Sequence, residues 1–187
     1  MKNSLETLSR GQEKEKKVQF LVIVQVFTTF AQAFLIMEEI KNQAERDEKF
    51  MRMAIEEARK ALVEEEVPIG AVVVCGQRVI GRGHNLVETL CDATAHAEMQ
   101  AITAAASTLG GKYLKDCTLY VSVEPCVMCA GALAWSQISR VVYGADDTKR
   151  GYSTVGGAIL HPKTEVTRGV LREECEALMM EFFKGLR

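Results

Sequence analysis

The chain has almost no net charge, no internal repeat, no low-complexity tract and no dense cysteine lattice. Its 23 Lys and Arg against 25 Asp and Glu leave a formal charge of −2. That excludes a general electrostatic pull toward nucleic acid or anionic lipid, so any such partner has to be met by a local patch. The lack of a repeat excludes a solenoid. Six cysteines scattered over 187 residues are too few for a disulfide scaffold. What remains, 48% apolar and 26% charged residues, suits a globular protein with a real core, and the length suits one domain.

Residues 1–45 read differently from the rest. Val18 to Met37 is a charge-free run of twenty residues that includes Phe20-Leu21-Val22-Ile23-Val24 but also Gln19, Gln25 and Gln32. Its length would suffice for a membrane span, and its three glutamines count against one. Lys14, Lys16 and Lys17 precede it, and Ala31-Gln32-Ala33 loosely resembles a signal-peptidase site. Anchor, secretion signal and translated leader compete. The leader is favoured, as an N-terminal extension outside the fold, with Met37 as a candidate start. As a helix the run would have to dock its apolar surface, so self-association is a further outcome.

From residue 46 the pattern is that of a folded domain, 46–187. Phe50, Met53, Ala54, Ala58, Ala61 and Leu62 at 3.6-residue spacing predict an amphipathic helix over 46–66, ended by Val67-Pro68. Ile69–Val74, a Cys75-Gly76-Gln77 turn and Arg78–Arg82 predict a hairpin. A loop runs to about Asp92. Thr94 is the expected cap of a helix reaching Ala106 and stopped at Gly110-Gly111. Cys117–Val123 predicts a strand, Pro125 the first position of a helix over 126–137, and Arg140–Tyr143 another strand. After a loop-rich stretch, Thr164–Thr167 reads as a short last strand. Leu171, Cys175, Leu178, Met179 and Phe182 mark a closing helix. Helices that separate apolar strands point to a sheet covered on both faces.

Two motifs carry chemistry. His96-Ala97-Glu98 is followed by Pro125-Cys126-Val127-Met128-Cys129. His96, Cys126 and Cys129 offer one imidazole and two sulfurs, a zinc set that leaves the fourth tetrahedral corner for water. Zinc lowers the pKa of that water to about 7. Glu98, two positions from His96, points elsewhere on a helix and suits proton transfer better than ligation. Alone, Cys-x-x-Cys is more often a structural half-site or a redox pair, and His-x-Glu is common by chance. Jointly, H-x-E…P-C-x-x-C is an established signature of zinc nucleobase deaminases. Cys75, Cys117 and Cys175 read as core residues, Cys91 as a bystander, and His84 and His161 as loop residues outside the ligand set. Thiolate ligands require a reducing compartment, so a cytoplasmic location is expected.

Val67-Pro68-Ile69-Gly70-Ala71, Gly83-His84-Asn85, Ala93-Thr94-Ala95-His96-Ala97-Glu98, Glu124-Pro125-Cys126-Val127-Met128-Cys129-Ala130-Gly131-Ala132 and Val141-Val142-Tyr143-Gly144-Ala145 together resemble the bacterial tRNA-specific adenosine deaminase family. The resemblance runs from about residue 47 to the C-terminus and departs from the family between Gly151 and Thr164. It implies an α/β fold, a three-layer α/β/α cytidine deaminase-like sandwich around a five-stranded mixed sheet. It implies one zinc ion per subunit, a cytoplasmic homodimer, and conversion of adenosine to inosine at the wobble position of a tRNA anticodon loop, arginine tRNA first. It matches Asn85 to a base contact, Ile69 to a base-pocket wall, Asp147 to a loop residue near the substrate backbone, and Phe182 and Phe183 to aromatics near the anticodon.

A single-stranded anticodon loop lets a base be extruded at low unstacking cost. Between Arg140 and Arg172, Arg140, Lys149, Arg150, Lys163, Arg168 and Arg172 stand against Asp146, Asp147 and Glu165, a local excess that could serve phosphates. Two alternatives stay open: a free-base or nucleoside deaminase acting on guanine or cytosine, and a zinc-bearing RNA-binding or partner subunit without catalysis. Glu98 counts against the second, since a purely structural site has no use for it.

Overall fold

The structure is a computed structural model that describes residues 2–156 and 158–185, with the backbone alone for residues 2–27, 29 and 30. Most side chains of the Val18–Met37 run therefore lie outside the described residues. The chain divides into two compact units, 1–45 and 46–187. Helix α1 is longer than expected: it spans Lys2–Val63. With Pro68 the first proline in the chain, nothing before it removes a helical hydrogen bond. In the first unit Phe34, Leu35, Ile36, Met37 and Ile40 are exposed. Among the described residues no helix is long and apolar enough to cross a membrane.

The second unit is built on five strands: β1 (Gly70–Cys75), β2 (Arg78–His84), β3 (Cys117–Val123), β4 (Arg140–Ala145) and β5 (Glu165–Arg168). Their order is β2-β1-β3-β4-β5. β1 is antiparallel to β2 and β3, and β3, β4 and β5 run parallel. The helices after α1 are α2 (Val87–Leu90), α3 (Ala97–Leu109), α4 (Val127–Trp135) and α5 (Arg172–Gly185), with a 3-10 turn at Tyr152–Val155. The α2 turn falls in a stretch the sequence presents as loop.

Side chains along each strand alternate between the two faces. Val72 and Val74 of β1, Tyr120 of β3 and Val142 of β4 pack with α1 and α5. Ala71 and Val73, Leu119 and Val121, and Val141 and Tyr143 pack with α3 and α4. This is the three-layer α/β/α sandwich that the motifs imply. The buried stripe of α1 is Phe50, Met51, Ala54, Ile55, Ala58 and Ala61, so it lies one residue to the side of the expected one. Met51 and Ile55 are inside, while Met53 and Leu62 are only half-buried. Small residues let the layers close. A Cβ on Gly70 would run into the backbone at Ala54 and Ala58, and one on Gly83 into that at Ala97 and Ala101. α1 and α3 therefore lie directly against the hairpin.

Two expected helix starts are displaced, the Thr94 cap and Pro125 as first helical residue. The N-cap of α3 is His96, and that of α4 is Cys126. Thr94 instead turns its hydroxyl onto Asp92 Oδ1 at 2.7 Å, inside a preceding turn. Pro125 stands outside α4, one residue before the cap.

A buried ion pair fastens α1 to the sheet. Arg140 donates from both terminal nitrogens to the Asp47 carboxylate at 2.7 Å, Tyr120 donates to Asp47 Oδ1 at 2.9 Å, and Arg140 also reaches Thr167 Oγ1 at 2.8 Å. Asp47→Ala would leave the Arg140 guanidinium, 16% exposed, without its charge partner and with Thr167 alone. We expect a loss of about 3–5 kcal/mol in chemical denaturation; a loss near that of a surface pair would show that Arg140 reaches water instead.

Candidate metal centre and active site

Both helix starts that carry the motifs point at the same place. As N-cap residues, His96 and Cys126 are the last extended residues before a helix, with φ −70° and ψ 156°, and φ −72° and ψ 171°. An extended N-cap turns its side chain back over the first turn, toward the N–H of the second or third helical residue. Cys129 is that third residue of α4. This is why Cys126 and Cys129 converge, although Cys126 itself is outside the helix.

His96 Nδ1 lies 3.6 Å from Cys126 Sγ and 3.5 Å from Cys129 Sγ. The three ligand atoms fall within 4.8 Å of one another. Tetrahedral zinc with bonds of about 2.0 Å to nitrogen and about 2.3 Å to sulfur separates N from S by about 3.5 Å. The donor set and its spacing fit that ion. Cys129 is buried, and Cys126 and His96 are half-buried, so one side of the site stays open.

Glu98 sits two residues into α3 and is 3% exposed. Its Oε2 is a buried side-chain oxygen with no hydrogen-bond partner among the described residues. Burial pushes its carboxyl up to about 7, while its own backbone N–H and His96 pull the other way. A carboxyl poised near neutrality with one free oxygen can take a proton and return it. The Cys126 thiol is held down to about 4, first by a hydrogen bond from Cys129 and then, against burial, by one from His96. Cys129 is pushed up by that same bond and by burial. The helix starts favour negative charge at both sulfurs.

The other expected site residues divide. Asn85 follows β2, and its N–H donates to Ile69 O at 3.0 Å, so these two stand opposite each other at the end of the hairpin. The next residue, Leu86, donates to Ala95 O at 3.0 Å, one residue before His96. Asn85 and Ile69 are thereby tied to the metal side of the molecule. Asp147 is half-buried, and its Oδ1 accepts from Lys149 N and Arg150 N at 3.0 Å each, which commits that oxygen to a turn. Phe182 and Phe183 pack on each other with ring centroids 5.3 Å apart on α5, in the layer with α1 and not with α3 and α4.

The basic patch is smaller than the sequence suggests. Arg140 is committed to Asp47, and Arg172 pairs with Asp146 at 2.6 Å. Lys149, Arg150, Lys163 and Arg168 are exposed. Arg150 is near enough to act electrostatically on His96.

Two buried acids escape a sequence reading. Glu124 accepts from Asp147 N at 3.1 Å and Ser153 N at 3.0 Å, and Gly151 bridges to Cys126, so Glu124 holds the 147–153 loop beside the site. Glu66 accepts from Asn85 Nδ2 at 2.8 Å and from Thr89 N at 2.8 Å. Glu124 precedes Pro125 at the end of an apolar strand, a place where a carboxylate needs partners. Glu66 closes the run Glu64-Glu65-Glu66, which reads as solvated surface.

Residues 44–145 match the family model for the cytidine and deoxycytidylate deaminase zinc-binding region. The chain is 46% identical over 147 residues to the tRNA-specific adenosine deaminase of Bacillus subtilis, covering 76% of this chain and 91% of that protein. It is 42% identical over 140 residues to the enzyme of that name from Streptococcus pyogenes serotype M18, covering 72% and 88%. A solved structure from a study of A-to-I editing by tRNA:A34 deaminases superposes with a TM-score of 0.66 at 41% identity, covering 70% of this chain and 98% of that one. A guanine deaminase from Nitrosomonas europaea superposes at 0.61 and 28% identity, covering 72% and 83%.

A zinc ion held by His96, Cys126 and Cys129 would tie the α3 and α4 starts together in the folded chain, so it should stabilise. Chelation is expected to lower the thermal midpoint, and zinc in excess, not magnesium, to restore it. At about a thousand times its dissociation constant the gain should be about 4 kcal/mol. Calorimetry with metal analysis checks this, and a midpoint indifferent to chelator on zinc-loaded protein would sink it.

Proposed function

Since this chain belongs to the tRNA-specific adenosine deaminases, within the cytidine and deoxycytidylate deaminase zinc-binding family, we propose that it hydrolyses adenosine to inosine at the wobble position of a tRNA anticodon, with arginine tRNA as the first candidate. The observation that carries the chemistry is a buried, unpartnered Glu98 oxygen beside three convergent zinc ligands. His96, Cys126 and Cys129 would hold the zinc, which when bound would supply Lewis-acid activation of a water molecule. Glu98 would take one proton from the water as its oxygen bonds to the carbon that bears the amine and give it to the neighbouring ring nitrogen, then take the second proton from the new hydroxyl and give it to the amine as the C–N bond breaks. Ammonia leaves and a carbonyl remains. A carboxyl near neutrality is suited to both directions of transfer.

Asn85 and Ile69 are the proposed polar contact and apolar wall for the extruded base. Exposed Lys149 and Arg150 lie on the loop that Glu124 anchors and suit the phosphates of a loop backbone. For Asp147 the remaining role is to shape that loop, and Phe182 and Phe183 stay candidates for stacking farther along the RNA. Residues 46–187 carry the activity, with 1–45 as an extension to it. All six cysteines are free, which suits the reducing cytoplasm.

We place a second copy of this chain on the outer face of α4. That helix holds Cys129 and is capped by Cys126, has no charged residue, and exposes Val127 and Trp135, the latter 86% exposed. An exposed Trp at the end of a helix without charged residues has the composition of an interface. Trp135→Glu should turn a dimer into a monomer in sedimentation with zinc content unchanged; a wild-type monomer at micromolar concentration would sink the assignment.

The activity test is inosine formation in an arginine tRNA by purified protein, with free adenosine, cytosine and guanine in parallel. Glu98→Gln should keep full zinc occupancy and RNA binding while turnover falls at least about 10²–10⁴-fold. Near-wild-type turnover by Glu98→Gln would falsify the proton-transfer role. Deamination of a free base with none of the tRNA would move the chain to the guanine or cytosine class.

A further inference from the structure

Glu66 is fully buried, at 1% exposed, yet lies in neither the metal ligand set nor the proton path. The fold places it deliberately. Glu66 N donates to Ala61 O at 2.9 Å, the six-to-one bond that closes a helix C-terminus. The residue before it, Glu65, takes the left-handed conformation at φ 60°, where glycine is the usual choice. This turn swings Glu66 off α1 and under the end of β2.

There its two oxygens have different duties. Oε1 accepts from Thr89 N, the third residue of α2, whose N-cap Leu86 provides no side-chain cap. Oε2 accepts from Asn85 Nδ2. A carboxylate only accepts, so the Asn85 amide can face Glu66 with its nitrogen alone. Its oxygen is turned the other way. Among the described residues Asn85 Oδ1 has no hydrogen bond, and it is not among the buried unpartnered atoms, so it opens on solvent or ligand. Asn85 itself is 5% exposed and is held between Ile69 O and the Leu86–Ala95 link that leads to His96.

We infer that Glu66 is a positioning residue that sets the hydrogen-bond polarity of the base pocket: by holding Asn85 Nδ2, it presents Asn85 Oδ1 to the bound nucleoside as an acceptor. This rests on the placement of Asn85 in the pocket proposed above. Glu66→Gln tests it with no change of shape. Thr89 N–H still needs an acceptor, so the glutamine keeps its oxygen there and turns its NH2 to Asn85. Asn85 must then flip, bonding through Oδ1 and presenting two N–H donors. Asn85→Asp on top of Glu66→Gln restores an acceptor to the pocket.

Full-length wild type and variants are compared on an RNA stem-loop whose target is adenosine, deoxyadenosine without the ribose hydroxyl donor, or a deazaadenosine with one ring acceptor replaced by carbon. In Glu66→Gln at least one of these kcat/KM ratios to adenosine should shift by about tenfold or more, and the double variant should bring it back toward wild type. Zinc content and thermal midpoint serve as folding controls. A uniform loss across all targets, with the ratios held within about threefold, would be a merely structural effect and overturns the inference. Nitrogen-15 NMR decides it independently of turnover. One Asn85 Nδ2 proton should be protected from solvent exchange in wild type and exposed in Glu66→Gln. No protected proton in wild type overturns the inference even if Glu66→Gln fails to fold, and so does protection that survives the substitution. A wild type without inosine activity would instead defeat the proposed substrate, while the NMR result would still decide what Glu66 does.

Discussion

His96 and Cys126 hold the same position in two different helices, the last extended residue before the first helical one, and the site depends on those two helix starts meeting. An N-cap side chain lies across the end of its own helix, where backbone N–H groups are unpaired and the dipole is positive. Placing an imidazole and a thiol there, with Cys129 one turn on, brings one nitrogen and two sulfur donors to tetrahedral spacing in a field that favours thiolates. Glu98 follows as a geometric consequence. Two residues past the cap it is inside the helix, buried, and directed to the site without being a fourth ligand.

The remainder of the second unit holds those helix starts still. α3 lies on β2 so closely that Gly83 admits no side chain, and it presents Ala97, Ala101 and Ala105 to the sheet. α4 is the crossover between parallel β3 and β4, so its start is fixed by the end of β3. On the other face, α1 is clamped through Asp47, Arg140 and Tyr120. Pocket polarity, loop position and helix attachment each pass through one buried acid: Glu66, Glu124 and Asp47. Each is hydrogen-bonded to groups from distant parts of the chain, which is the condition for burying it at all.

The zinc ligands, the strand positions and the layered architecture were legible because they rest on local spacing. His-x-Glu and Cys-x-x-Cys are short-range patterns, and strand alternation is read residue by residue. The displaced stripe of α1 shows where that runs out: Met51 and Met53 are equally apolar, and only the sheet beneath decides which faces in. The caps show the same limit. Thr94 and Pro125 are good local signals, but the helices start at the residues whose side chains the site draws together. Arg140 and Arg172 counted toward a phosphate patch in sequence and turn out to be paired with Asp47 and Asp146.

What the sequence determined alone was the donor set, since the identity of one imidazole, two thiols and one carboxylate, with the strand-helix pattern around them, is written within short windows. The tertiary structure decided which acids are inside. Glu66 belongs to a run of three glutamates with the same local environment in sequence, and a single left-handed residue at Glu65 turns one of them under the sheet. Burial and partnership are sums over contacts made by residues far apart in the chain, such as Glu66 with Asn85 or Asp47 with Arg140, and no local pattern contains them.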